Sequence, residues 1–159
     1  MNLPETDFWS VSGPRLHVLA EEATGSVARI VPPPGVAVVA HMDGANMADA
    51  DGVFEQFWRE LRFPDYFGWN WPALLDCLRD LQWLPADRYL VVIRNPGRLL
   101  SSAPEEREVF LQTLMWASDA WASPHGKPGG TGIPFNVLLF CGDAELDGIR
   151  HEVRRIQEN

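Results

Sequence analysis

Two aspartates, Asp76 near the end of FPDYFGWNWPALLDCL at 63–78 and Asp80 just beyond it, follow the densest aromatic stretch of the chain, in which Phe63, Tyr66, Phe67, Trp69 and Trp71 fill five of nine positions. A carboxylate pair can move protons, hold a metal ion or meet a cationic surface. Tyr and Trp beside charge favour the last, because that is the composition of protein interfaces. Read as a helix, this stretch puts Leu74, Leu78 and Leu81 on one face, with Leu75 and Cys77 flanking it. Pro72, Ala73, Asp76 and Asp80 fall on the other face. Like charges four apart repel by about 0.2–0.5 kcal/mol, so the pair costs local stability unless a cation meets it. The plainer reading of the same two residues is a pair of solvated helix carboxylates. The rings crowd too densely around Gly68 for one core to take them all. Phe63 and Phe67 can serve a core, but some of Tyr66, Trp69 and Trp71 must face out, the competing reading of Trp71 being a small surface core over the helix mouth.

Other chemistry finds little support, and the chain reads as no enzyme. His17, His41, His125 and His151 are scattered, with no pair at i, i+4 and no close His/Cys cluster, so neither a metal nor a cofactor is expected. In HMDG at 41–44, His41 and Asp43 could hold a metal, but Asp-Gly after a β-branched run is first of all a turn. GKPGGTGIP lacks the spacing of a phosphate-binding loop. Cys77 as a nucleophile would need a lowered pKa, which a helix-core setting opposes.

The 159 residues suit one domain, with 46% apolar and 22% charged residues and no low-complexity tract. A formal charge of −9 argues against nucleic acid as a partner and favours a cationic one, although acidity for solubility alone would look the same. Cys77 and Cys141 both lie in apolar segments and read as buried thiols of a reducing compartment. MNLPETDFWS carries no signal-peptide pattern and no run of 18 apolar residues occurs, which makes a membrane partner unexpected and the cytoplasm the expected location.

The elements that would position these residues can be read from periodicity. Residues 1–34 read as an N-terminal extension, with RLHVLAEE and SVARIV as arms of an added β-hairpin, stopped by PPPG at 32–35; residues 35–159 form the domain. VAVVAHMDG, RYLVVIRN and FNVLLFCG are buried strands. Val53, Phe54, Phe57, Trp58 and Leu61 mark the apolar face of a helix over 49–62, capped by Asp49 or Asp51 and ended by Pro64. A second helix begins near 70–72, with Asn70 or Trp71 as its cap, and ends about Gln82. A third runs from Pro104 to about Trp121 with Glu105 and Glu106 at its start, and a short helix over AELDGIRHEVRRIQ closes the chain. Helices as the crossovers between strands imply an α/β fold with a small parallel sheet.

The run FPDYFGWNWPALLDCLRDL resembles the signature of the barstar family, intracellular inhibitors of small basic ribonucleases: an aromatic pair, Gly, a variable residue, Asn and an apolar residue lead into a helix carrying Asp-Cys-Leu. A looser likeness extends from Val36 to Cys141. It implies a two- or three-layer barstar-like fold, and a partner that is a basic ribonuclease of extracellular type or a related toxin, against which this chain would act as an immunity protein. Asp76 matches the aspartate that takes the place of a substrate phosphate in the enzyme. Tyr66, Gly68 and Asn70 match the loop that lies against it, and Trp71, Ala73 and Leu75 match further contacts, with Trp69 between them. Pro72 stands where the family's best-known member has a second aspartate, and Trp116 where it has a contacting glutamate. Asp80, and Asp119 one turn beyond Trp116, could partly compensate for these losses, though neither is a family position. Two rival readings remain: a barstar-like regulatory module whose partner is not a ribonuclease, and an α/β domain with a closed apolar ligand pocket.

Overall fold

The computed structural model describes residues 8–21, 32–123 and 132–158. Four strands, β1 (Leu16–Ala20), β2 (Ala37–Asp43), β3 (Arg88–Arg94) and β4 (Phe135–Cys141), form one sheet in the order β1-β4-β3-β2, every neighbour parallel. The two central strands are near-continuous apolar runs, VVI in β3 and VLLF in β4, as a parallel sheet covered on both faces requires. Val91, Ile93, Val137 and Leu139 point to the helices α1 (Ala50–Glu60), α2 (Trp71–Asp80), α3 (Arg107–Ala122) and α4 (Asp143–Glu158). Leu90, Val92, Leu138 and Phe140 point the other way, under Phe8, with Trp9, Leu19 and Val39 at the margin.

Helices as crossovers between parallel strands are found as expected, with three differences. RLHVLAEE does contain a strand, and it joins the sheet edge parallel to β4, Leu16 opposite Val137; its expected hairpin partner SVARIV lies outside the described residues. VAVVAHMDG forms the other edge strand and is only partly buried. The C-terminal helix is not short but runs for 16 residues. Gly148 lies inside it, and a Cβ there would meet nothing within 4 Å, so the glycine faces open space and leaves the buried row Ile149, Val153 and Ile156 intact. Arg107 fastens this helix. Its guanidinium donates to both Glu152 oxygens at 2.9 and 2.6 Å and to the carbonyls of Pro96 and Leu99, tying α3, α4 and the turn after β3 together.

Asp43-Gly44 is the turn its chemistry suggested. Asp43 Oδ1 accepts from the Ala45 amide at 2.9 Å and from Asn95 Nδ2 at 2.9 Å, which joins the ends of β2 and β3. A Cβ on Gly44 would lie 2.2 Å from the Asn95 carbonyl oxygen, so only glycine fits. The Asn95 hydrogen bond, helped by the Ala45 amide and by the positive charges of Arg94 and Arg98, lowers the Asp43 pKa from 3.8 despite some burial. A depressed carboxylate stabilises the fold above its unfolded pKa and loses that contribution as pH falls through its folded value. The denaturation midpoint of the wild type is therefore expected to fall more steeply below pH 3.8 than that of Asp43→Asn, in an acid series of urea titrations. Among the described residues no group of three or more His, Cys, Asp and Glu could hold a metal ion, and no helix is long and apolar enough to cross a membrane.

Candidate partner-binding surface

The aromatic loop is a tight connection between two capped helices. Asp49 caps α1 through the Gly52 amide at 2.8 Å. At its other end Arg62 takes a left-handed backbone, φ 54°, while the Phe63 amide reaches back to the Trp58 carbonyl at 3.0 Å and so satisfies an otherwise orphaned carbonyl. The Phe67 amide then closes a turn onto Pro64. Asn70, not Trp71, is the cap of α2: its Oδ1 accepts from the Ala73 amide at 2.8 Å and its Nδ2 donates to the Gly68 carbonyl at 3.2 Å. Pro72 favours this arrangement, because it leaves the residue before it outside the helix interior and needs no donor in the first turn. Asn70→Ala is expected to cost about 1 kcal/mol in a urea titration, a loss that Asp at this position would largely avoid.

Beneath the loop the rings interlock. Phe67 meets Phe54 and Phe63 edge to face at 6.0 and 4.9 Å, and Trp83 stands edge-on to Phe63 while its Nε1 donates to the Leu61 carbonyl at 2.9 Å. Trp71 belongs to this layer. Its ring is half-buried between Phe54 at 4.8 Å and Phe110 at 5.8 Å, and its Nε1 donates to Glu106 Oε1 at 3.1 Å. It is thus held by the chain's own core, against which Ala73 and Leu75 also pack in part.

The other candidates lie on one face. Asp76 is on the crest of α2, its side chain 72% exposed. On one flank are Ala73 and Asp80. A Cβ at Gly68 would come within 3.3 Å of the Ala73 methyl, and the Tyr66 hydroxyl donates to Asp80 Oδ2 at 3.3 Å, so the loop lies along this side of the helix. Toward the opposite flank are Leu75 and α3. Trp71 near the start of α2 meets Glu106 and Phe110 near the start of α3, and Trp121 near the end of α3 donates to the Leu78 carbonyl at 2.7 Å. The two helices therefore run side by side in one direction, and Trp116, 51% exposed, comes level with the middle of α2. Tyr66, 68% exposed, and Trp116 thus stand on either side of Asp76.

The expected charge conflict between Asp76 and Asp80 is relieved from within. Arg79 Nη2 meets Asp76 Oδ1 at 3.1 Å, and Asp80 has the Tyr66 hydroxyl. An exposed ion pair of this kind contributes only about 0.2–1 kcal/mol, so Asp76 can exchange it for a better partner at little cost. Cys77, the next residue, is buried. Burial, with the negative charges of Asp80 and Asp76, pushes its pKa up to about 11, and it stays a neutral thiol.

The roles of four residues escaped sequence reasoning. Arg79 and Glu106 are ordinary helix charges whose partners appear only on folding, and Trp83 follows a helix end with no pattern around it. Trp58 fits the helical spacing of the buried row, yet it is 38% exposed and leans on Trp69, ring centroids 5.9 Å apart. Trp69 is itself 43% exposed and has φ 53°, a left-handed backbone that costs a bulky residue roughly 1–2 kcal/mol.

A family model described as Barstar (barnase inhibitor) matches residues 37–139, from the first residue of β2 into β4, and so includes the loop, Asp76 and Trp116. No curated protein matches the chain.

Proposed function

The chain belongs to the barstar family, and from that premise we propose that it inhibits a small basic ribonuclease of extracellular type, or a related toxin, by laying the crest of α2 across the enzyme's active site. The observation that carries this reading is Asp76, an exposed carboxylate at the centre of a rigid, capped helix between Tyr66 and Trp116. A ribonuclease cleft gathers cationic groups to hold RNA phosphates. A fixed carboxylate satisfies those cations without supplying a bond to cleave, and the enzyme is blocked without any chemistry on the part of the inhibitor. Gly68, Asn70 and Ala73 allow close backbone approach at one side, and Leu75 and Trp116 give apolar contact at the other. The formal charge of −9 steers the encounter, and an immunity role inside the cell that makes the enzyme follows from blocking it this way.

Titrating a small basic ribonuclease with the chain is expected to abolish RNA cleavage at a one-to-one ratio. The association rate is expected to fall as ionic strength rises from about 0.01 to 0.1 M, where the screening length shrinks from about 30 to 10 Å. A flat salt response would remove the steering role of the acidic face, and failure to inhibit any such enzyme would remove the reading itself. Pro72 and Trp116 favour a second reading, because they present apolar surface where the family's best-known member has carboxylates. On that reading the same face binds a protein that is not a ribonuclease. Capture of a partner from the source cell, followed by an RNA degradation assay on it, separates the two.

A further inference from the structure

Among the described residues the exposed large apolar side chains are Val36, Trp58, Tyr66, Trp69 and Trp116. Tyr66 and Trp116 flank Asp76, but Trp58 belongs to α1 and has no part in the face described so far. It is not isolated. Its ring meets Trp69 at 5.9 Å and 42°, Trp69 continues onto Phe67 at 5.4 Å, and the next residue in the chain after Trp69 is the cap of α2. The pair therefore extends the partner face from the loop onto the end of α1.

Two observations say what this extension is for. Trp69 holds a left-handed backbone that glycine or asparagine would adopt without penalty, so the chain keeps a strained residue there and leaves much of its ring in solvent. Beside the pair on α1, Glu55 and Arg59 approach to 3.9 Å, so the charges next to Trp58 offset each other. Uncharged rings flanked by an offset ion pair are unsuited to steering a cation and suited to contact with an uncharged surface.

Resting on the ribonuclease reading above, we infer that Trp58 and Trp69 form a second, uncharged anchor of the interface, which takes a flat apolar or aromatic patch on the rim of the enzyme's cleft. Asp76 draws the enzyme in and occupies its centre; the tryptophan pair holds its edge. The two act on different rate constants. Charge at a rim changes association, whereas desolvated aromatic contact changes dissociation.

Stopped-flow association and dissociation with the inhibited basic ribonuclease, at low and high salt, test this with Trp58→Ala and Trp69→Asn. Both variants are expected to dissociate about tenfold faster than wild type, with little change in association and the same penalty at both salts. Their circular dichroism spectra should match wild type, since Trp58 is partly exposed and asparagine tolerates the backbone at 69. Wild-type dissociation by Trp58→Ala overturns the inference, as does a penalty that disappears at high salt. So does a variant whose only change is in self-association of the free chain. A wild-type chain that inhibits no ribonuclease overturns the functional reading and this inference together; tight wild-type inhibition with an unaffected Trp58→Ala overturns the inference alone.

Discussion

Asp76→Ala is expected to weaken inhibition of the cognate ribonuclease by about 2–5 kcal/mol, roughly 30- to 5,000-fold in Kd, the cost of truncating one partner of a buried, hydrogen-bonded interfacial charge pair. The loss arises less from the missing contact than from the cations it leaves behind, desolvated in the enzyme's cleft without a counter-charge. Folding should be almost untouched. Asp76 is exposed, its ion-pair partner Arg79 is exposed too, and alanine is a good helix former, so the urea midpoint of the free variant should match wild type. Asp80→Ala should cost less, because Asp80 is engaged by the Tyr66 hydroxyl and lies toward the flank. Arg79→Ala should bind at least as tightly as wild type, since it frees Asp76 of its internal partner. Inhibition constants for the three variants check the order, and an Asp76→Ala chain as potent as wild type would eliminate the assigned role.

Trp71→Ala is expected to act on the fold first. It removes a ring wedged between Phe54 and Phe110 and leaves Glu106 without its indole donor at the start of α3. A half-buried tryptophan should give a loss near the lower end for large aromatic truncations, about 3 kcal/mol. That is a large part of a typical stability of about 5–15 kcal/mol, and in a chain of this size it lowers the melting temperature by roughly 6–12 °C. Trp71→Phe keeps the packing and loses the indole hydrogen bond, for about 1 kcal/mol. Urea titration and thermal melts of the free protein measure both. If Trp71→Ala melts like wild type but binds poorly, Trp71 is an interface anchor after all, as its place in the motif implies.

This contrast between Asp76 and Trp71 marks how far sequence reasoning reached. Asp76 lies on the polar side of a short amphipathic pattern, and the leucines at 74, 78 and 81 are enough to turn it outward. Trp71 is placed by Phe110 and Glu106, more than thirty residues later in the chain, and no local pattern contains them. Trp58 shows the reverse. Its spacing matches Phe54, Phe57 and Leu61, which are all buried, but its own ring is 38% exposed and lies against Trp69.

By itself the sequence determined the α/β class, the four strand segments, the three helices before the last and the outward stripe of Asp76 and Asp80, and it narrowed the two helix caps to Asp49 or Asp51 and to Asn70 or Trp71. All of these follow from periodicities and cap chemistry that act within one or two turns of chain. Only the tertiary structure decided the parallel pairing of β1 with β4, the full length of α4, the burial of Trp71, the exposure of Trp58 and the pairing of Arg79 with Asp76. Those depend on which surfaces meet when distant segments pack, and burial is a property of the assembled layers that no single segment carries.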